Sequence, residues 1–279
     1  MTDPRYRGYR RHIEQKRTSK VLGEARRLEI VETLRGTGVV TVAEVEERFD
    51  VSAMTARRDL DELERRGLVR RTHGGAVLPS TAAHEDSFAR RLNTATEEKR
   101  RLAEAAVARL SPRETVFLDS STTSYFVARR VIETGIAATV LTNSLPVMEL
   151  VFNEGSSDLE LIGIGGTLRR LTRSFVGPFA VRTVQGHFAD RLFLSVKGVT
   201  ETGMLTDADP LEAEVKRAMI AQAGESTLLV DESKLVARGL SVVAAVSDVT
   251  GVLADGLSPS QAAPLIVAGA TLLPLGPVR

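Results

Sequence analysis

Between residues 51 and 71, V-S-A-M-T-A-R-R-D-L-D-E-L-E-R-R-G-L-V-R-R, apolar side chains recur at Ala56, Leu60 and Leu63. That i, i+4, i+7 spacing gives one helical face for packing inward. Ser52 stands where an N-cap hydroxyl can accept a bond from an orphan amide, and Gly67 stands where the helix should stop. Ala53, Met54, Arg57 and Arg58 fall off the stripe near the N-terminal end, the end that enters a groove first. Upstream, residues 24–34 read as a helix with Leu28, Ile30, Val31 and Leu34 inward, ended by Gly36 and Gly38. Val39 and Val40 suit a short strand. Thr41 then opens a second helix, with Glu44 at capping-box spacing and Val42, Val45 and Phe49 on one face. Downstream, Val69, Arg70 and Arg71 lead to a His73-Gly74-Gly75 turn that can tip a hairpin. Three short helices followed by a basic hairpin predict a winged helix-turn-helix over residues 24–78.

The pattern then changes. Residues 79–96 show no clear period and read as a linker, whereas 97–110 is a helix with Leu102, Ala106 and Leu110 on one face. From Thr115 on, short apolar runs at 115–119, 139–143, 159–166, 191–198, 226–231 and 249–255 alternate with helical stretches such as 124–134, 146–152 and 211–223. Near-continuous apolar strands between helices predict a mostly parallel α/β sheet covered on both faces, spanning residues 97–279. The end of the chain adds a proline-containing helix and an apolar tail, Thr271 to Leu275, read as packing or an oligomer contact. Ligands of such sheets bind at the carboxyl ends of the strands. Those ends carry Asp119, Ser120, Ser121, Thr122 and Thr123; Asn143; Gly165 and Gly166; and Lys197 and Gly198. Hydroxyls, glycines and cations at one edge suit a phosphorylated, hydroxyl-rich small molecule.

Charge sharpens the division. The net charge is +1, but residues 1–80 carry 17 Lys+Arg against 13 Asp+Glu and the remainder 20 against 23. A basic first part beside an acidic remainder fits a nucleic-acid module joined to a different unit. Residues 1–23 are rich in arginine and lysine and read as a basic arm for nonspecific phosphate contact, or as a leader without function. Cys is absent, which excludes disulfides, thiol catalysis and thiolate metal sites. No apolar run is long enough to span a membrane and no secretory signal is legible, so the expected compartment is the cytoplasm. The four His show no metal-ligand spacing, and no nucleotide-binding loop or nucleophile motif appears.

The segment from Val51 through Thr55, Arg57-Arg58-Asp59-Leu60 and the His73-Gly74-Gly75-Ala76 wing end resembles the DeoR family of bacterial transcriptional regulators. Ala56 departs, standing where that family commonly has a larger aliphatic residue. The resemblance runs over about residues 24–255 and implies a sensor domain similar to sugar-phosphate isomerases. It adds Gly177, Asp207, Glu212, Lys216, Asp231 and Lys234 to the matching positions, while Ser121 stands where the family usually has Gly.

Together these readings give a DNA-binding regulator, a repressor of a sugar operon, tuned by a phosphorylated sugar, without a cofactor and without catalysis. The DNA contacts are assigned to Ser52, Ala53, Met54, Thr55, Arg57, Arg58, Arg70, Arg71, His73 and Gly74. The effector contacts are assigned to Asp119, Ser120, Ser121, Thr122, Thr123, Asn143, Gly165, Gly166, Lys197, Gly198, Asp207, Glu212 and Lys216. The expected partners are double-stranded operator DNA, the effector, and further copies of the chain in a dimer or tetramer. Two alternatives stand beside this reading: a sugar-phosphate isomerase with a DNA-binding appendage, and an architectural DNA-binding protein without an effector.

Overall fold

A computed structural model describes residues 23–34, 39–66, 68–72, 74–77, 86–235 and 237–276, with the side chains of residues 39, 70 and 77 outside the description. The chain divides into two units, Met1–Thr81 and Ala82–Arg279. The expected arm lies outside the described residues but for residue 23, as do Gly36, Gly38, Gly67, His73 and positions 79–85 of the expected linker.

In the first unit, α1 (23–34), β1 (Val39–Thr41), α2 (Val42–Phe49), α3 (Ala53–Arg65), β2 (Arg70–Thr72) and β3 (Gly75–Val77) follow in the expected order. Thr41 caps α2 in a complete capping box, its hydroxyl accepting the Glu44 amide at 3.1 Å while Glu44 accepts the Thr41 amide at 2.7 Å. Asp50 takes a left-handed conformation at the end of α2, which lets the chain turn within two residues into the Ser52 cap of α3. Ile30, Leu34, Val45, Ala56, Leu60, Leu63 and Val69 form the core, with Ala56 fully buried. Leu28, expected inward, is exposed instead. It falls two residues before Ile30, on the opposite side of a 3.6-residue period. The strands pair antiparallel in the order β1-β3-β2. Gly75 lies within β3 rather than at the hairpin tip, and a Cβ there would stand 2.0 Å from the Val40 carbonyl oxygen, so close strand approach demands glycine.

The second unit begins with α4 (Phe88–Leu92) and α5 (Thr96–Val107), followed by β4 (Thr115–Leu118), α6 (Thr122–Thr134), β5 (Ala138–Thr142), α7 (Leu145–Glu154) and β6 (Leu159–Gly163). A hairpin, β7 (Thr167–Arg169) and β8 (Ser174–Val176), leads into α8 (Pro178–Gln185) and β9 (Ala189–Leu194). Then come β10 (Gly198–Val199), β11 (Met204–Asp207), α9 (Pro210–Ala221), β12 (Ala223–Asp231), β13 (Ser241–Ala245), β14 (Gly251–Asp255), α10 (Pro259–Val267) and β15 (Leu272–Leu273). Seven strands form one parallel sheet in the order β15-β14-β12-β9-β4-β5-β6. The apolar tail supplies its last strand, pairing with β14. β10, β11 and β13, unforeseen from the sequence, make a separate antiparallel sheet.

Alternation along the parallel strands builds two cores. Val116 and Leu118 face a cluster with Leu102, Phe126 and Val147, whereas Phe117 faces the other with Val184, Ala213 and Met219. Phe193 and Leu229 divide from their strand neighbours in the same way, as period-two side-chain direction requires. Both faces are therefore covered by helices.

Candidate functional site

Two places bring the predicted residues together. On α3, Ser52 accepts the Thr55 amide at 3.4 Å and its hydroxyl lies 3.1 Å from that of Thr55. Arg57 and Arg58 are exposed, Met54 is 61% exposed, and neither arginine has an ion-pair partner among the described residues. Asp59, next in sequence, is buried and accepts Arg26 Nε at 2.6 Å and Arg27 Nη1 at 2.8 Å, clamping α3 to α1. The R-R-D run thus splits into two outward cations and one inward anchor. Arg71 is differently employed: it pairs with Asp61 at 3.1 Å and donates to the Gly75 carbonyl at 2.9 Å, bracing the hairpin. The Arg70 side chain and His73 lie outside the described residues, and Gly74 is exposed, its carbonyl accepting the Val42 amide at 2.9 Å.

The second place follows from strand order. The chain leaves β4 outward through β5 and β6, then returns to β9 on the other side of β4. A crevice opens where the order reverses, beyond the carboxyl ends of neighbouring strands. A cavity of about 260 Å³ lies at this point. Ser121, Thr122 and Thr123 line it from the end of β4, Ser195, Val196 and Lys197 from the end of β9, and Asp231, Ser233 and Lys234 from the end of β12. Asp207 and Lys216 complete the wall from β11 and α9. The N-terminal amides of α6 point their partial positive charge into this space.

Behind the wall sits a buried charge cluster. Lys216 Nζ lies 3.0 Å from Asp119, 2.6 Å from Asp207 and 2.6 Å from the Ser195 carbonyl it donates to. Burial acts to lower the Lys216 ammonium, but Asp119 and Asp207 outweigh it and hold its pKa above the usual lysine value. Burial acts to raise the Asp119 carboxyl, and Lys216 with the Ser121 and Ser124 hydroxyls holds it below the usual range. Ser121 Oγ donates to Asp119 at 2.6 Å and accepts the Ser124 amide at 3.0 Å as the cap of α6. Its φ of −73° is ordinary extended backbone, so serine fits this turn without strain, and its hydroxyl is turned to the protein.

Other predicted residues are near the crevice but outside the cavity wall. Glu212, almost fully buried, accepts Ser120 at 2.8 Å, Thr172 at 2.9 Å, Arg169 at 3.0 Å and Ser174, tying α9 to the β7–β8 hairpin and the end of β4. Asn143 donates to the Phe175 carbonyl at 2.9 Å and fixes the same hairpin. Gly165 and Gly166 lie between β6 and β7. At Gly198 a Cβ would stand 1.8 Å from the Ala237 carbonyl oxygen, so that glycine serves close backbone packing.

Sequence reasoning missed Ser195, Val196 and Ser233 on this wall, and a further group from α4, α5 and the residues that flank them. Asp86, Arg91, Thr94, Ala95 and Lys99 line the cavity. Lys99 is buried and its ammonium donates to the Arg91 carbonyl at 2.5 Å and to the Thr94 carbonyl. Burial, with Lys234 adding to it, pulls Lys99 down to a pKa of about 8. Burial also lowers Lys234, against the opposing pull of Asp231. A lysine in a charge-rich helix reads as surface; only the fold shows that the cavity absorbs it.

A helix-turn-helix unit with a β-hairpin, followed by an α/β unit with a cationic cavity at its topological switch point, defines a DNA-binding protein that carries a ligand-sensing domain. Residues 26–82 match the DeoR-like helix-turn-helix domain and residues 94–256 the DeoR C terminal sensor domain. The chain is 33% identical to the transcriptional repressor AccR of Agrobacterium fabrum, over 82% of this chain and 88% of that protein. It is 35% identical to the lactose phosphotransferase system repressor of Lactococcus lactis, over 76% and 84%, and 31% identical to the glycerol-3-phosphate regulon repressor of Escherichia coli, over 82% and 90%. Among solved structures, ribose 5-phosphate isomerase A from Methanocaldococcus jannaschii aligns with a TM-score of 0.37 at 18% identity, covering 50% of this chain and 54% of that one. The chain belongs to the DeoR family of transcriptional regulators. It is a DNA-binding regulator and not an enzyme. Among the described residues, no helix is long and apolar enough to cross a membrane.

Proposed function

We propose that the protein represses a carbohydrate operon in the cytoplasm and is released from its operator by a phosphorylated sugar held in the switch-point cavity. The observation that carries this reading is the cavity itself: helix N-terminal amides and the cations Lys197 and Lys234 for a phosphate, with Asp207 and Asp231 as acceptors for sugar hydroxyls. The residues assigned from the sequence divide accordingly. Ser121, Thr122, Thr123, Lys197, Asp207 and Lys216 line the ligand space, while Asp119, Ser120, Asn143, Gly165, Gly166, Gly198 and Glu212 shape it from behind or beside.

Residues 24–78 are the DNA-reading unit in this proposal, 79–96 join it to the sensing and oligomerising unit at 97–279, and 1–23 add nonspecific phosphate contact. Two copies would set two α3 helices in successive major grooves. Phe179 and Phe188, 70% and 82% exposed near the two ends of α8, support a contact between copies.

The test is a thermal-shift screen of sugar phosphates, run on the protein alone and on its complex with DNA selected by the protein from a random pool. A ligand at about 100 times its dissociation constant adds roughly 2.7 kcal/mol. Release requires weaker ligand binding to the DNA complex than to the free protein. Equal binding to both states would remove the switch.

A further inference from the structure

Residues 83–93 fall between the two stretches that match family domains, and their sequence shows no period. The fold nevertheless brings Asp86 and Arg91 of this stretch to the cavity wall. Arg91, on α4, lines it, and Arg91 Nε and Nη2 are buried without a hydrogen-bond partner among the described residues. A guanidinium left in this state destabilises the protein, because its N–H groups have given up water and gained no acceptor. Its planar fork matches two oxygens of a phosphate. An anion that draws the guanidinium toward the cavity supplies acceptors that the described residues do not.

The backbone around Arg91 is held at few points. The Phe88 amide donates to the Leu171 carbonyl at 2.9 Å and the Phe88 ring meets Tyr125 edge-on at 5.9 Å. At the other end, Lys99 binds the Arg91 and Thr94 carbonyls, and Ala95 follows with φ of +50°, a left-handed conformation that alanine adopts only under constraint. The short helix is thus fastened at its two ends, with the half-buried Arg91 on the cavity wall. It is also the first described element after the DNA-binding unit, whose last described residue is Val77.

We infer that Arg91 is an anion-binding residue of the effector site, and that occupancy of the site orders α4, the element that leads from the DNA-binding unit into the sensor. The inference rests on the sensor reading of the cavity and adds to it a contact and a route. Two buried Arg91 nitrogens without an acceptor cost stability, and a bound anion offsets that cost.

The experiment uses the full chain with inorganic phosphate, ribose 5-phosphate and glycerol 3-phosphate as probes, and compares wild type with Arg91→Met and Arg91→Lys. Titration calorimetry should show affinity for the probes that bind falling about 10- to 100-fold in Arg91→Met, the range for a charged hydrogen-bonding partner, with part recovered in Arg91→Lys. Without ligand, Arg91→Met should melt at or above the wild-type temperature, an outcome a merely structural arginine would not give. Hydrogen exchange across residues 88–95 should slow on saturation of wild type and stay unchanged in saturated Arg91→Met. Affinity within about twofold of wild type in Arg91→Met overturns the contact, and ligand protection at 88–95 that survives the substitution overturns the route. If none of the probes binds wild type, the sensor reading of the cavity fails and takes the inference with it. Equal binding to wild type and Arg91→Met strikes Arg91 alone.

Discussion

Arginine stands in two opposite settings in this protein. Arg57 and Arg58 on α3 are exposed and have no ion-pair partner among the described residues, so water solvates their charges at almost no cost. Arg91 in the sensor is unpaired too, but two of its nitrogens are buried. The first setting leaves a surface that can meet many phosphates and be screened by salt. The second leaves buried N–H groups without an acceptor among the described residues, which suits recognition of one small anion in a fixed place. The same contrast runs through the carboxylates: Asp59 is a clamp beneath the reading face, and Asp119 and Asp207 neutralise Lys216 beneath the ligand space.

The sharpest test of this comparison removes a charge from each region. Lys216→Met leaves Asp119 and Asp207 buried without their cation and should destabilise the second unit by about 3–5 kcal/mol, read by urea unfolding. Arg57→Ala or Arg58→Ala should shift stability by less than about 0.5 kcal/mol. Destabilisation by both kinds of substitution to the same degree would erase the distinction. The arginine variants should act on DNA instead. A base-reading arginine should cost about 1–3 kcal/mol at one operator position, and a phosphate-binding one should weaken all sequences alike. Binding of each variant to the selected operator and to random DNA, at two salt concentrations, separates the roles.

The DNA-binding unit was largely legible in the sequence because its signals are local. The Thr41–Glu44 box, the Ser52 cap and the Ala56-Leu60-Leu63 stripe each lie within a few residues, and each sits where its spacing demands. Leu28 was misread since periodicity in a short helix tolerates a 100° error. The parallel strands were equally visible, being continuous apolar runs, but their order was not. The cavity exists only because β9 returns beside β4, so the pairing of Ser121–Thr123 with Lys197 and Lys234 is a property of topology. Arg91 and Lys99 were invisible for the same reason: short or charge-rich helices look like surface until a fold closes over them. Glu212 shows the converse, a polar residue near strand ends that serves to hold a hairpin.

Protonation separates the two regions as well. Lys99 is lowered to a pKa of about 8, first by burial and then by Lys234, with Asp231 and Glu98 opposing and Arg91 adding to the shift. Because the folded state gives up this proton more readily than the unfolded chain, the unfolded chain binds more protons between pH 8 and 10.5, and Lys99's contribution to stability rises with pH across that window. Ligand binding runs the other way. An anion favours the charged lysine, so sugar-phosphate affinity should fall as pH rises from about 7.5 to 9, by up to roughly tenfold, where the phosphate monoester's own charge no longer changes. Calorimetry in buffers of different ionisation enthalpy should register proton uptake on binding near pH 8. If DNA affinity is carried by Arg57 and Arg58, as proposed, it should stay flat over the same interval because arginine stays charged. Parallel pH slopes for both ligands would undo this separation.

The smallest expected effect concerns Ser121, where the family resemblance leads one to expect glycine. Its hydroxyl donates its one proton to the Asp119 carboxylate, accepts the Ser124 amide and lies 3.1 Å from the Ser124 hydroxyl, so it has no proton left to donate to a phosphate. Ser121→Gly should therefore leave phosphate affinity within about twofold, while costing about 1 kcal/mol of stability through the lost cap and the weakened hold on Asp119. Asp119 keeps the Ser124 hydroxyl at 2.6 Å and the residue-121 amide at 3.1 Å, which limits the loss. A large drop in affinity would mean that the hydroxyl turns outward when the site fills.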